Sequence, residues 1–366
     1  MKFRTSRDTL LRPLQILNGV IERRHTLPVL SNILVQTDAD GLTLRATDLE
    51  VELVVGLSEG IDIQSDEPAA ITVPAQKLAE IWRSFPEGAD VMFSLEAERV
   101  VVRSGRSRFQ LSTVSAEEYR PFESSDGEVT ITLPRADVQK LLSRTSFAMA
   151  NQDIRYFLRG LLVEITGNNL RAVATDGARM AMHTLDRGAQ GVERLRAIVP
   201  RKRIQDLERL IADSDLDVEF TLGRTHLQVA QGEYTLTTRL VEGQFPPYEN
   251  LIPRNTSRSI TSDRETLRRA LQRASIVSNI VGFLVEGEHL TIRAANNEQE
   301  EAEEVVAVDY DGDAMEVNFN ASFLQDVLNA VDAEAVEMSF PDDNKIAKIE
   351  AAGDEDSLYL VMPRRQ

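Results

Sequence analysis

The chain contains no cysteine and only one tryptophan, and aromatic residues make up 5 % of its 366 positions. Without cysteine there is no disulfide framework, no cysteinyl zinc site and no thiol nucleophile. No apolar run approaches the roughly 18–20 residues that span a bilayer. The start, Met1-Lys-Phe-Arg-Thr-Ser-Arg7, lacks the apolar stretch of a signal peptide. A cytoplasmic protein is expected. Histidine is scarce: His25, His183, His226 and His289 stand singly, without metal-ligand spacing. Neither a G-x-x-x-x-G-K-[ST] loop nor a G-x-S-x-G elbow occurs, so no cofactor or metal is expected. Lysine is scarce as well, with six lysines among 41 basic residues. Acidic residues outnumber basic ones, 41 − 59 = −18. That balance argues against a generic DNA coat unless the cations gather on one surface.

What the chain has is repetition. Leu42-Thr-Leu-Arg-Ala-Thr-Asp48 returns as Leu170-Arg-Ala-Val-Ala-Thr-Asp176 and as Leu290-Thr-Ile-Arg-Ala-Ala-Asn296. Val73-Pro-Ala-Gln-Lys-Leu-Ala-Glu-Ile81 returns as Val199-Pro-Arg-Lys-Arg-Ile-Gln-Asp-Leu207 and Phe319-Asn-Ala-Ser-Phe-Leu-Gln-Asp-Val327. A glycine between strands recurs at Gly105, Gly232 and Gly353. The three markers keep one beat, with the first stepping 176 − 48 = 128 and 296 − 176 = 120. That period is far longer than a solenoid repeat, and each copy is large enough to bury its own core. Three tandem domains of one fold are expected: 1–125, 126–254 and 255–366.

Each copy opens with a helix. Leu10, Leu11, Leu14 and Leu17 form one apolar face between Arg7 and Glu22, with Pro13 as a possible bend. Pro134 opens the second, with Val138, Leu141 and Leu142 as its stripe. Asp263 is placed to N-cap the third, ahead of Leu267, Ala270 and Leu271. Alternating strands follow, the first pair turning at Asp40-Gly41. The Val-Pro segment then starts a second helix bearing Leu78, Ile81 and Trp82. The fold class is α+β, antiparallel sheet backed by helices. Linkers fall near 123–128 and 253–259, where Ser, Asp, Gly and Pro cluster.

Charge is distributed unevenly. Three of the six expected helices are net basic: Arg135, Lys140 and Arg144; Arg201, Lys202, Arg203 and Arg209; Arg264, Arg268, Arg269 and Arg273. The last carries only Asp326. Recurrence at equivalent places points to one basic face, against the alternative of solvated ion pairs. Asp48, Glu50 and Glu52 alternate as if sharing a strand face, which reads as solvated sooner than as a divalent-metal site. The acidic run Glu298–Glu304 reads as a charged edge strand. Paired with the basic run Arg99, Arg103, Arg106 and Arg108 at the other end of the chain, it suits head-to-tail closure.

These residues resemble the bacterial DNA polymerase III beta subunit family, the sliding clamps, along the whole chain. The resemblance rests on Thr26-Leu-Pro-Val-Leu-Ser-Asn32, Thr47-Asp-Leu-Glu50, Arg103-Ser-Gly-Arg-Ser-Arg-Phe109, Ala174-Thr-Asp-Gly177, Val199-Pro-Arg-Lys202, Asn296-Asn297 with its acidic run, and Val361-Met-Pro363. It implies a ring-shaped head-to-tail homodimer on duplex DNA, non-catalytic, opened by a clamp loader and tethering DNA polymerases. It implies an interface of Phe109 and Leu111 against Ile276 and Val277, with Lys77, Arg99 and Arg106 facing Glu298, Glu300 and Glu304. DNA would meet Arg24, Gln152, Arg201 and Lys202. A pocket for clamp-binding peptides would use Leu158, Thr175, Gly177, Arg179, Met180, Pro246, Leu251, Val361, Met362, Pro363 and Arg365. The chain departs from the family pattern at Ala178 (usually His), Asn250 (usually Arg) and the end Arg364-Arg365-Gln366 (usually Met-Arg-Leu). After Ser278-Asn279 it has a short uncharged Ile280-Val-Gly-Phe283. A specialised second clamp, or an adaptor on the same fold, is the competing reading; a hydrolase built on Asp48, Glu50 and Glu52 comes third.

Overall fold

The computed structural model describes residues 1–21, 27–65, 67–122, 127–341 and 346–364. Among them are six α-helices: α1 (Arg7–Val20), α2 (Ala75–Ser84), α3 (Arg135–Ser143), α4 (Arg201–Ile211), α5 (Arg264–Ala274) and α6 (Ala321–Ala330). The spacing argument holds for their buried faces except at Leu11, which is only half-buried. Leu10, Leu14 and Leu17 are buried on α1, Val138, Leu141 and Leu142 on α3, and Leu267, Ala270 and Leu271 on α5. The Asp263 side chain accepts from Thr266 N at 2.7 Å, the expected cap of α5. Helix α1 runs through Pro13 and closes at Val20, earlier than expected; Glu22 lies outside the described residues.

Two compact units emerge, Met1–Ala136 with Lys202–Leu240, and Asp137–Arg201 with Val241–Gln366. The first holds a five-stranded and a nine-stranded antiparallel sheet, the second an eight-stranded and a four-stranded one. The cut passes through the middle repeat because that repeat gives its strands to two sheets. In the first unit, strand Val51–Leu57 of repeat one pairs with Tyr234–Arg239, the last strand of repeat two, Val51 opposite Thr238. In the second, Arg179–Leu185 of repeat two pairs with Asp354–Val361, the last strand of repeat three, Arg179 opposite Val361. The same joint is made twice. Its third pair of equivalents, Glu301–Ala307 and Ser107–Ser112, are edge strands of the four- and five-stranded sheets.

The repeated markers have a backbone cause. Asp48 Oδ1 accepts from the N–H groups of Glu50 and Val51, both at 3.0 Å. Asp176 Oδ1 does the same for Ala178 (2.9 Å) and Arg179 (3.0 Å), and Asn296 Oδ1 for Glu298 (2.9 Å) and Glu300 (3.1 Å). These are Asx turns, the local chemistry for which Asp and Asn are suited. The preceding threonines close the turn from the other side: Thr47 Oγ1 donates to Val51 O at 2.7 Å and Thr175 Oγ1 to Arg179 O at 2.6 Å. Gly105, Gly232 and Gly353 have φ of 54°, 55° and 84°, the left-handed region that favours glycine in tight turns.

Candidate binding surfaces

The second Asx turn opens strand Arg179–Leu185, whose Met180 and Met182 belong to a buried cluster with Leu162, Val173, Ile198, Phe245, Tyr248, Leu358 and Leu360. Phe157, Val241, Ile252 and Ile346 pack against that cluster while keeping part of their surface in water. The chain end is stitched alongside: Met362 N donates to Ala178 O, and Arg364 N to Asn318 O, each at 2.8 Å. Pro363 between them has no N–H to satisfy. Exposed Leu251 and Met362 and half-exposed Pro246 and Pro363 give the surface apolar walls. Leu158, Thr175, Met180 and Val361 are buried beneath. Gly177 has φ 91°, and a Cβ there would meet Arg155 Nη2 at 3.0 Å. Arg365 lies outside the described residues.

Arg179 is brought to this place but used inward. Its Nε donates to Asp176 Oδ2 at 3.1 Å, its Nη2 to Phe147 O at 3.0 Å, and its Nη1 pairs with Asp326. The guanidinium lies 4.5 Å from the Phe323 ring centroid and 5.4 Å from that of Phe147, a cation–π sandwich. Phe147, Phe323 and Asp326 are partners that residue spacing did not find. The signal was Asp326, the one charged residue on an otherwise uncharged α6.

The basic helices need correcting. Arg135 spends its guanidinium on the α4 C-terminus, donating to Ile211 O (3.0 Å) and Ala212 O (2.7 Å). Arg264 does the same for α6 and beyond, to Leu328 O (3.0 Å) and Ala333 O (2.9 Å). Cations at these ends satisfy orphan carbonyls and the helix dipole. Arg203, 5 % exposed, is buried against Asp48 and Asp206. Arg268 and Arg269 both bind Glu265. Of the expected DNA contacts, Arg201 donates to Met149 O at 2.6 Å, and Lys202 Nζ stands 3.5 Å from Asp48. Gln152 is exposed in a loop whose Ile154 is 98 % exposed. Arg24 lies outside the described residues.

The carboxylate trio is neither a solvated strand face nor a metal site. Asp48 and Glu52 are buried, and Leu49 between Asp48 and Glu50 turns the chain with φ 76°. Asp48 Oδ2 serves Arg203; Glu52 lies 3.5 Å from Arg45 and accepts from Tyr119 Oη at 3.2 Å. Among the described residues no group of three His, Asp or Glu could hold a metal ion.

The two charged runs do lie at sheet edges, but part of each is spent within the chain: of the basic run, Arg103 and Arg108 pair with Glu96, at 2.7 and 3.8 Å. Strand Ser107–Ser112 carries Phe109, half-buried against Phe85 with centroids 5.9 Å apart, and buried Leu111. Lys77, Arg99 and Arg106 are exposed. In the other unit Ile276 is 83 % exposed beside half-exposed Val277. Glu298 and Glu300 are exposed, whereas Glu304 is held within its own chain by Arg273, with Nε and Nη2 at 2.7 and 2.6 Å. That pairing holds its carboxyl below the ordinary range.

Comparison with known proteins follows the same three-part division. The N-terminal, central and C-terminal domains of the DNA polymerase III beta subunit match residues 1–123, 132–247 and 249–365. The beta sliding clamp of Pseudomonas putida is 43 % identical with both chains fully covered, and that of Escherichia coli K12 41 %. The chain belongs to the DNA polymerase III beta subunit family. The crystal structure of this subunit from Pseudomonas aeruginosa superposes with a TM-score of 0.95 at 42 % identity over the full length of both chains. A sliding clamp from the same organism bound to griselimycin superposes at 0.94 and 43 %. Family membership makes the chain a DNA sliding clamp of three tandem clamp domains, a processivity subunit without catalysis of its own. Among the described residues no helix is long and apolar enough to cross a membrane.

Proposed function

We propose that two copies of this chain close head to tail into a ring around duplex DNA in the cytoplasm, opened by a clamp loader. Replicative and repair polymerases would be tethered through the groove beside Met362. The observation that carries this reading is the twice-made joint. The strand after each Asx turn pairs with the last strand of the following repeat, and the third such pair is left as two sheet edges, one acidic with Glu301, Glu303 and Glu304 and the other carrying Arg108. Supplying Ser107–Ser112 from a second copy to Glu301–Ala307 makes the joint a third time, and doing so twice closes the ring. Phe109 and Leu111 would then meet Ile276 and Val277, and Lys77, Arg99 and Arg106 would face the Glu298–Glu304 run. The domains are taken as 1–125, 126–254 and 255–366.

A ring holds DNA by topology, so its contacts through Arg24, Gln152, Arg201 and Lys202 should be weak, sequence-independent and mostly to phosphates. Griselimycin binding by the P. aeruginosa clamp supports a ligand-accepting surface on this fold. A clamp serving a restricted partner set is the second reading, favoured by Ala178, Asn250 and Arg364 at the groove. The test is retention on DNA. Loaded onto a nicked circle by a clamp loader, the protein should stay, and linearising the circle should release it. Equal retention before and after linearisation would show direct adhesion and sink the encirclement.

A further inference from the structure

Behind the groove lies a charged cluster that the clamp reading leaves without a role. Glu164, on strand Gly160–Ile165, is 4 % exposed. Its Oε2 accepts from Arg194 Nε at 2.7 Å and Arg196 Nε at 2.6 Å. Its Oε1 accepts from Tyr248 Oη at 3.3 Å, and Arg171 Nη1 donates to that same hydroxyl at 3.1 Å. Burial pushes the Glu164 carboxyl up, but the hydrogen bonds from Arg196 and Arg194 outweigh it and hold it below its ordinary value. The two arginines also reach outward to Glu249, Arg196 Nη2 at 2.7 Å and Arg194 Nη2 closer still. The Arg196 guanidinium stands 5.6 Å from the Tyr248 ring centroid. Consecutive residues are thus gripped from two sides, Tyr248 from the core and Glu249 from strand Leu195–Pro200.

Those two residues open the single 3₁₀ turn Tyr248–Leu251, which presents Leu251 as a groove wall. Apolar packing anchors one side of the turn, Tyr248 being fully buried with its ring 6.5 Å from that of Phe245, but its backbone bonding is sparse. Pro246 and Pro247 before it offer no N–H, and its own bonds are Tyr248 N to Pro246 O (2.7 Å) and Asn250 N to Pro247 O (3.2 Å). We propose that Glu164, Arg194, Arg196 and Glu249 are positioning residues of the peptide groove. They fix the 248–251 turn before a ligand arrives and thereby set affinity for the apolar part of a peptide without touching it. This rests on the groove being the peptide site. A wall ordered in advance removes an ordering cost from binding and slows dissociation.

The test uses the full-length protein and a fluorescein-labelled peptide carrying one glutamine followed by apolar residues. Glu249 is 39 % exposed, so its removal should leave the thermal midpoint nearly unchanged. Glu249→Ala should weaken the peptide roughly tenfold, mostly by faster dissociation, with amide exchange rising in 248–252 alone. Glu249→Gln keeps an acceptor for Arg196 and should recover most of the loss. Arg196→Ala combined with Glu249→Ala should be far from additive, because both act on one turn. Leu251→Ala is the control on the site itself. If Leu251→Ala weakens binding and Glu249→Ala does not, the positioning role is wrong and the groove stands. If neither matters, the groove reading falls and the proposal with it. A general loss of thermal midpoint and exchange protection with Glu249→Ala would also overturn it, leaving an ordinary structural ion pair.

Discussion

The turns at Asp48 and Asp176 are built alike and used differently. In both, Oδ1 holds two backbone N–H groups and the preceding threonine closes the loop. The second oxygen makes the difference. Asp48 Oδ2 goes to Arg203, a buried arginine on α4, whereas Asp176 Oδ2 goes to Arg179 in its own turn, which Asp326 also holds. The first turn welds repeat one to the helix that opens with Arg201 and Lys202. The second keeps its carboxylate within its own turn, beside Met362. Repetition conserved the backbone chemistry, and the specialised roles came from one carboxylate oxygen.

Removing the carboxylates should separate the two most clearly. Asp48→Ala leaves a buried guanidinium with one partner fewer, a change that costs about 3–5 kcal/mol. Asp176→Ala removes a turn cap while Arg179 keeps Asp326, and should cost about 1–2 kcal/mol. Chemical denaturation followed by amide exchange in each unit measures both. Equal losses would mean that the Arg203 contact adds nothing beyond the turn.

The backbone at the turn tip should respond with opposite signs. Leu49 occupies φ 76° and Gly177 φ 91°. A left-handed non-glycine residue costs about 1–2 kcal/mol, offset in part by the greater chain entropy that glycine loses on folding. Leu49→Gly should therefore raise the free energy of unfolding by up to about 1 kcal/mol, and Gly177→Ala should lower it by about 1–2 kcal/mol. Destabilisation by Leu49→Gly would show that the exposed leucine makes contacts outweighing its strain.

The smallest contrast is in pH. In the first unit, burial pushes the Glu52 carboxyl above 4.5, only partly opposed by Arg45, Phe122 N–H and Tyr119. A raised folded-state value contributes stability that is full below 4.5 and lost as pH rises through it. In the second unit, burial and Arg144 push His183 below 6.5. Its neutral ring contributes stability that is full above 6.5 and lost as pH falls through the folded-state value. Rising pH between 4.5 and 6.5 should loosen strand Val51–Leu57 and tighten Arg179–Leu185 in amide exchange, with Glu52→Gln and His183→Gln removing the respective slopes. Parallel slopes that the substitutions leave unchanged would locate the titration elsewhere.

The sequence made legible what depends on near neighbours. Helix faces follow from three-and-four spacing, and Asp48, Asp176 and Asn296 stood out as a repeat; that they cap turns did not, and Asp48 was expected on a strand face with Glu50 and Glu52. Partners far along the chain stayed hidden. Arg203 counted as a surface cation until Asp48, 155 residues away, came into view, and Arg135 and Arg264 until carbonyls were found beneath them. The groove residues were placed through family resemblance, but the ion cluster behind Tyr248 was not, because Glu164, Arg194 and Glu249 look like ordinary surface charges in a chain of net −18. The charged runs were visible in the sequence; that both stand on edge strands equivalent to two joined pairs required the pairing of strands some 180 residues apart.

Ring closure through those edges is the central claim, and mass in solution tests it most directly. Light scattering at micromolar concentration should report 2 × 40.9 = 81.8 kDa. Glu298→Lys with Glu300→Lys leaves the Arg273–Glu304 pair intact but sets like charges against Lys77, Arg99 and Arg106 of the second copy. The mass should then fall toward 40.9 kDa. A wild-type mass of 40.9 kDa, or a dimer indifferent to the reversal, would contradict closure through these strands.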